Sequence, residues 1–279
     1  MKVFITGQEG FTGRLLSERL IAENYQVFGL KTDIRDYPSV VQTVATIKPD
    51  YVVHLAAISS VNSADLNIFY QVNLFGTMNL LQALDEAKLQ PKKIIIASSA
   101  YVYGNSEHPI INETAYPKPI NHYGASKLAM EHLVSTWFER FPIIITRPFN
   151  YTGKGQSLGF IIPKIVAHFR EKKPWIELGN IDVIRDISAV DFVVNAYLRL
   201  LKSPLRSEII NICSGTGYTV KEILQMTADI AEYSPEVRFN PEFARNHEIY
   251  RLIGSNKKLF DSIGEIPIIP LRQLLSSLL

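Results

Sequence analysis

ITGQEGFTG, residues 5–13, follows a short apolar run, KVFIT, and runs directly into TGRLLSERLIAEN. The latter places Leu15, Leu16, Leu20 and Ile21 at helical spacing. Its glycines, Gly7, Gly10 and Gly13, fall at intervals of three between a strand and a helix. Such a turn suits a dinucleotide: one glycine makes the bend, one admits a pyrophosphate, and one lets the helix lie on the sheet. The open N–H groups of the helix start supply the complementary field for phosphate.

Outward from this turn the chain alternates. YQVFGL, YVVHLAA, KKIIIASS and PIIITRP read as buried strands. YPSVVQTVATI, IFYQVNLFGTMNLLQALDEA and the stretch opening at NHYGASK read as helices. Near-continuous apolar strands separated by helices imply a parallel sheet covered on both faces. Beyond Pro148 the pattern loosens into helices over FIIPKIVAHFREKK, SAVDFVVNAYLRLLKS and TVKEILQMTADIAEY, strands over PWIELG and EIINICS, and a tail bearing proline and asparagine. The expected fold is a Rossmann-type doubly wound parallel sheet with a smaller mixed α/β C-terminal region for substrate. Residues 1–150 with about 181–213 form the dinucleotide-binding part, and about 151–180 with 214–279 the other. No flexible linker parts them, so a cleft is expected.

Composition narrows the class. The 279 residues carry a net charge of +2, which gives no reason to expect a nucleic-acid surface. No apolar run approaches the roughly 18 residues of a membrane span. The single cysteine, Cys213, and the lack of a leader pattern fit a cytoplasmic protein. Six scattered histidines show no metal-ligand spacing, so no metal is expected. His54, at the end of YVVH, reads as a packed core histidine.

Tyr123 and Lys127 stand four residues apart at the start of a helix and therefore share a face. A free phenol titrates near pH 10 and is a poor acid or base at neutrality. An adjacent ammonium is expected to depress it, so that it exchanges a proton with a carbonyl or alcohol. Lys127 is also placed to hold a ribose hydroxyl. Ser99, in ASSAYVYG at the end of the preceding strand, is a candidate to bond the same substrate oxygen. Asp33 lies at the distance from Gly13 expected for a ribose-binding carboxylate, whereas Lys31 and Arg35 suit a 2′-phosphate. NADPH and NADH both stay open, the cations tilting the balance to NADPH.

TGQEGFTG, DIRD, HLAA, VNLFGT, SSAYVYG, YGASK, RPFN and IRD occur in one order along the chain. With them the chain resembles the extended short-chain dehydrogenase/reductases that act on nucleotide sugars. The resemblance implies Ser99, Tyr123 and Lys127 as the catalytic set. It puts Phe11 and Thr12 at the pyrophosphate, Asp33 and Ile34 at the adenine, and Leu55, Ala56, Ala57 and Ser98 beside the cofactor. It puts Asn73 near the active-site lysine and Pro148 at the nicotinamide. It implies substrate contacts from Tyr101, Asn150, Lys164, Arg185, Arg245 and Glu248, with the two arginines on the diphosphate; Arg185 could instead pair with Asp186. The family often has a longer loop between VFGL and DIRD than this chain has.

The family's 4,6-dehydratases carry a carboxylate after the catalytic serine or threonine. Here Ser99-Ala100-Tyr101 has none, which speaks against dehydration. The second half, through RPFNYTGKGQS, IELGN and NPEFARNHE, resembles GDP-4-keto-6-deoxy-D-mannose reductases, which form GDP-rhamnose. The talose C4 epimer, a dTDP-4-keto-6-deoxy sugar and epimerisation are the alternatives on the same scaffold, and a non-catalytic dinucleotide sensor is the alternative outside enzymology. The resemblance also implies a homodimer built on the helices at IFYQVNLFGTMNLLQALDEA and GASKLAMEHLVSTWFERF.

Overall fold

The computed structural model describes residues 1–59, 65–243 and 248–279. Its main sheet contains β1 (Lys2–Thr6), β2 (Gln26–Gly29), β3 (Tyr51–His54), β4 (Lys93–Ala97), β5 (Ile143–Pro148) and, later in the chain, β9 (Glu208–Ile212). The strands are all parallel, in the order β2-β1-β3-β4-β5-β9. Alternate strand residues enter opposite cores. Phe4, Val52, Ile94, Ile96, Ile143 and Ile145 face one side, with α2 (Tyr37–Ile47), α4 (Gly76–Glu86) and α5 (His122–Ser135). Val3, Ile5, Val53, Ile95 and Ile144 face the other, with α1 (Phe11–Ala22) and α7 (Val190–Lys202). The period of two with both faces covered is why these strands read as unbroken apolar runs. Each fully buried side chain of this kind stabilises the fold by about 1.5–3 kcal/mol.

The chain leaves β1 toward β2 on one side and returns to β3 on the other, so the loops after β1 and β3 diverge. In open α/β sheets the ligand crevice lies at such a reversal, at the carboxyl ends of the strands. The short segment between β2 and α2 leaves β2 as the sheet's edge.

The stretch expected as one long helix is divided. A three-residue α3 (Asn67–Phe69) passes into a π-helical turn, Tyr70–Phe75, before α4 begins. Such turns often mark functional positions, and this one carries Asn73.

After β5 the backbone crosses to a smaller sheet. β6 (Asn150–Thr152) lies beside β8 (Ile184–Ala189), which also pairs with β10 (Gly217–Thr219) and β12 (Arg251–Leu252). β7 (Trp175–Leu178) and β11 (Glu236–Phe239) form a separate parallel pair. A third core joins α6 (Ile161–Arg170), α8 (Val220–Ala231) and α10 (Leu271–Leu278), while α9 (Lys257–Ile263) packs beside β9 and α7. The segment read as a tail thus holds two strands and two helices. A fourth core, with Tyr103, Phe149, Cys213, Ile249 and Leu252, lies where the two regions meet.

Candidate active site

The glycine turn is fixed sterically. Gly7 has φ of +72°, and a Cβ there would come within 2.8 Å of the Ala56 nitrogen. A Cβ on Gly13 would stand 2.2 Å from the Gly7 carbonyl oxygen. The turn therefore lies directly on the backbone leaving β3. α1 starts at Phe11 with Gly10 as its N-cap and no capping side chain, so its first N–H groups stay open to a ligand. These features fit a dinucleotide's diphosphate.

Ile34 is buried, and a Cβ on Gly76 would meet its Cγ2 at 2.6 Å. Asn79 Nδ2 donates to the Ile34 carbonyl at 3.0 Å, tying this loop to α4. Arg35 is paired at the surface: its Nε and Nη2 donate to the Asp33 carboxylate at 2.9 and 2.6 Å. The hydrogen bonds from Arg35 hold the Asp33 carboxyl below its ordinary range. Lys31 is exposed at the end of β2.

His54 is buried between two threonines. Its Nδ1 lies 2.6 Å from Thr6 Oγ1 and its Nε2 2.9 Å from Thr77 Oγ1. Thr77 gives its proton to the Asn73 carbonyl at 2.7 Å, so it accepts from His54 Nε2–H, and Nδ1 accepts from Thr6. Burial, assisted by the charge of Lys127, pushes His54 down to about 3, so it is a neutral structural bridge. The Ala56 amide donates to Thr6 Oγ1 at 3.2 Å, which fixes the backbone at Leu55, Ala56 and Ala57 just beyond β3, beside the Gly7 turn.

The turn carrying Tyr123 begins with Asn121, whose Oδ1 accepts from the Gly124 amide at 2.8 Å. The Tyr123 ring is held edge-on by Phe69 and Tyr101, at centroid distances of 6.2 and 5.7 Å. Ser99 N-caps a short 3-10 turn, Ala100–Tyr103, its Oγ accepting from the Tyr101 amide at 3.2 Å, and it works to lower the Tyr123 phenol. Asn73 Oδ1 accepts from the Ile58 amide at 2.9 Å, and its Nδ2 donates to Ser126 Oγ at 3.1 Å. Ser126 in turn donates to the Tyr123 carbonyl at 2.8 Å. The structure thus brings Ser99, Tyr123, Lys127 and Asn73 together.

One expectation is corrected. Burial raises the Tyr123 phenol, and the opposing influence is the Ser99 hydrogen bond rather than Lys127. Lys127 is itself buried, with Nζ donating to the Ala97 carbonyl at 2.7 Å. Burial lowers it to about 8, while the charge of Glu131 works to raise it. Sequence reasoning missed Glu131, although it lies on the same helix face one turn beyond Lys127. Glu131 forms a buried bidentate pair with Arg147, at 2.9 Å from Nε and 2.5 Å from Nη2. Arg147 lies 4.7 Å above the Tyr103 ring, whose hydroxyl donates to Asn211 Oδ1 at 2.7 Å.

The substrate candidates are distributed around the crossing between the sheets. Ser98 Oγ and Asn150 Oδ1 are buried without a hydrogen-bond partner among the described residues, as are Tyr37 Oη, Arg147 Nη1 and Ser188 Oγ. Pro148 ends β5 just before the crossing. Arg185 does not pair with Asp186, because neighbours on a strand point to opposite faces. Arg185 Nη2 donates to Glu248 Oε1 at 3.0 Å instead, while Asp186 accepts from the amides of Ser214 and Gly215. Lys164 Nζ donates to the Glu177 carbonyl at 2.7 Å and lies 3.7 Å from the Phe243 ring centroid. Arg245 lies outside the described residues.

Comparison with known proteins agrees with this geometry. Residues 3–213 match the model of the NAD dependent epimerase/dehydratase family. The chain is 36% identical to GDP-6-deoxy-D-talose 4-dehydrogenase of Aggregatibacter actinomycetemcomitans, over 95% of this chain and 92% of that protein. It is 34% identical to GDP-6-deoxy-D-mannose reductase of Pseudomonas aeruginosa, over 100% of this chain and 96% of that one. The solved structure of RMD from Pseudomonas aeruginosa complexed with NADPH superposes with a TM-score of 0.89 at 33% identity, covering 99% of this chain and 97% of the other. With a family match over most of its length and relatives similar from end to end, this chain belongs to the NAD dependent epimerase/dehydratase family.

Proposed function

We propose that the protein reduces the C4 ketone of a nucleotide-linked 4-keto-6-deoxy sugar, GDP-4-keto-6-deoxy-D-mannose, to the rhamnose or talose product. The observation that carries this reading is the half-buried Tyr123 phenol, wedged by Phe69 and Tyr101 and one turn before buried Lys127 on the same face of α5. Reduction of a ketone needs a proton donor at the nascent alkoxide, and a neutral phenol is one. Two relatives whose names specify GDP-6-deoxy sugars support the substrate class.

Bound NADPH supplies the hydride. The chain's own residues do the rest. The turn at Gly7–Gly13 and the start of α1 hold the diphosphate, and Lys31 suits the 2′-phosphate because Arg35 is already committed to Asp33. Ser99 orients the C4 oxygen, and Tyr123 Oη gives it a proton. Lys127, on the same helix face, stabilises the phenolate left behind. Asn150 and Arg185 face the nucleotide sugar, which lies against the smaller region, about residues 151–180 and 214–279. Glu248 releases Arg185 to the diphosphate or shares it.

We also propose a homodimer through α4 and α5, supported by Phe75, which is 52% exposed on the turn leading into α4. Sedimentation of the purified chain is expected to give a dimer that Phe75→Asp splits. A monomer at every concentration would contradict it.

Lys127 gives the turnover a pH limb. As pH rises through about 8 the ammonium loses its proton, and the phenolate loses the charge that steadies it. Reduction is therefore expected to slow on the alkaline side from near that pH. A rate that stays flat well above it would remove Lys127 from this role.

The activity is tested by mixing the protein with NADPH or NADH and GDP-4-keto-6-deoxymannose, with dTDP-4-keto-6-deoxyglucose in parallel. Cofactor oxidation with the GDP sugar, and an NMR-identified C4 alcohol, are expected. Tyr123→Phe should lower turnover by about 10²–10⁴-fold while leaving cofactor binding intact. Consumption with neither sugar, by folded protein that binds cofactor, would overturn the reductase reading in favour of epimerisation.

A further inference from the structure

Tyr151 belongs to β6, opposite Ser188 of β8, yet its side chain reaches α1. Its hydroxyl lies 2.9 Å from Thr12 Oγ1, and its ring stacks on Phe11 with centroids 6.2 Å apart and planes 11° from parallel. Phe11 and Thr12 are the first two residues of α1, next to the uncapped N–H groups. The fit continues at Gly153, where a Cβ would come within 2.5 Å of Val190 and 3.3 Å of Phe11. The smaller sheet thus presses on the first turn of the phosphate-facing helix.

A phenylalanine would stack on Phe11 equally well, so the hydroxyl needs its own account. The two hydroxyls carry two protons, and the bond between them uses one. Thr12 is only 8% exposed, whereas Tyr151 is more open. If Tyr151 donated to Thr12, the threonine proton would be buried without an acceptor, which is costly. The direction that satisfies the buried threonine is Thr12 donating to Tyr151, which leaves the Tyr151 O–H as the spare donor of the pair. The incoming bond polarises it and strengthens it as a donor. It stands beside helix N–H groups that already favour an anion.

We propose that Tyr151, polarised by Thr12, is a diphosphate-binding residue of the dinucleotide site, its hydroxyl donating to a diphosphate oxygen. This rests on the reading of the α1 turn as the cofactor site. It gives the smaller sheet a direct hold on the cofactor.

The test is direct ligand binding, without sugar or turnover. NADPH and ADP-ribose contain the diphosphate, and adenosine 2′-monophosphate does not. Tyr151→Phe, which keeps the ring, is expected to weaken NADPH and ADP-ribose about tenfold, the scale of one hydrogen bond to a charged group. Adenosine 2′-monophosphate should bind as before. Thr12→Val is expected to weaken the same two ligands by a smaller factor. Unchanged binding of all three, or equal weakening of all three, would overturn the proposal and leave Tyr151 a packing residue. If the wild-type chain binds neither diphosphate ligand, the cofactor reading falls, and this proposal with it.

Discussion

The half-buried Tyr123 phenol is the group around which the rest of the site is arranged. Its ring is wedged by Phe69 and Tyr101, and its backbone turn is held by Asn121 and by the chain of bonds from Ser126 to Asn73. A desolvated phenol resists losing its proton. That state suits a donor to a ketone oxygen and is a handicap for a base. It becomes reversible only when a phenolate can be stabilised, and Lys127 and Ser99 are the groups positioned to do so.

Lys127 has its own requirement. A buried ammonium tends to lose its proton, and the carboxylate of Glu131 one turn away opposes that loss. Glu131 is in turn fixed by both arms of Arg147, and Arg147 by the face of Tyr103. Buried ion pairs of this kind do not guarantee stability, because both charges are desolvated, but removing one partner alone costs about 3–5 kcal/mol. Helix α5 is therefore joined to β5 and, through Tyr103 and Asn211, to β9. The same crossing carries Asn150 and Tyr151 into the smaller sheet, so both regions are braced against the strand ends.

Features set by nearby residues were readable from the chain. The glycine turn, the alternating strands and the shared face of Tyr123 and Lys127 all depend on residues within a few positions of one another. What depended on tertiary placement was not. Tyr123 and Lys127 do share a face, yet burial, not the lysine, dominates the phenol. Sequence adjacency offers Asp186 as a partner for Arg185, but its carboxylate partner is Glu248, in the segment before β12. The sequence offers Arg35 to a phosphate, but its guanidinium spans the Asp33 carboxylate two residues away. β8 escaped notice because charged Arg185 and Asp186 interrupt its apolar pattern, although both are buried. The contact of Tyr151 with Thr12 joins a strand of the smaller sheet to the first turn of α1, and no local pattern marks it.

The protonation state of Tyr123 is the most direct test. Protein labelled with ¹³C at the tyrosine ζ carbon, compared with its Tyr123→Phe variant, identifies that one resonance, which reports phenol against phenolate as pH is raised. The account predicts a protonated phenol at neutral pH, titrating above the ordinary value near 10 in the free protein. A phenolate already present near pH 7 would contradict it, and would make Tyr123 a base poised for oxidation instead of a proton donor for reduction.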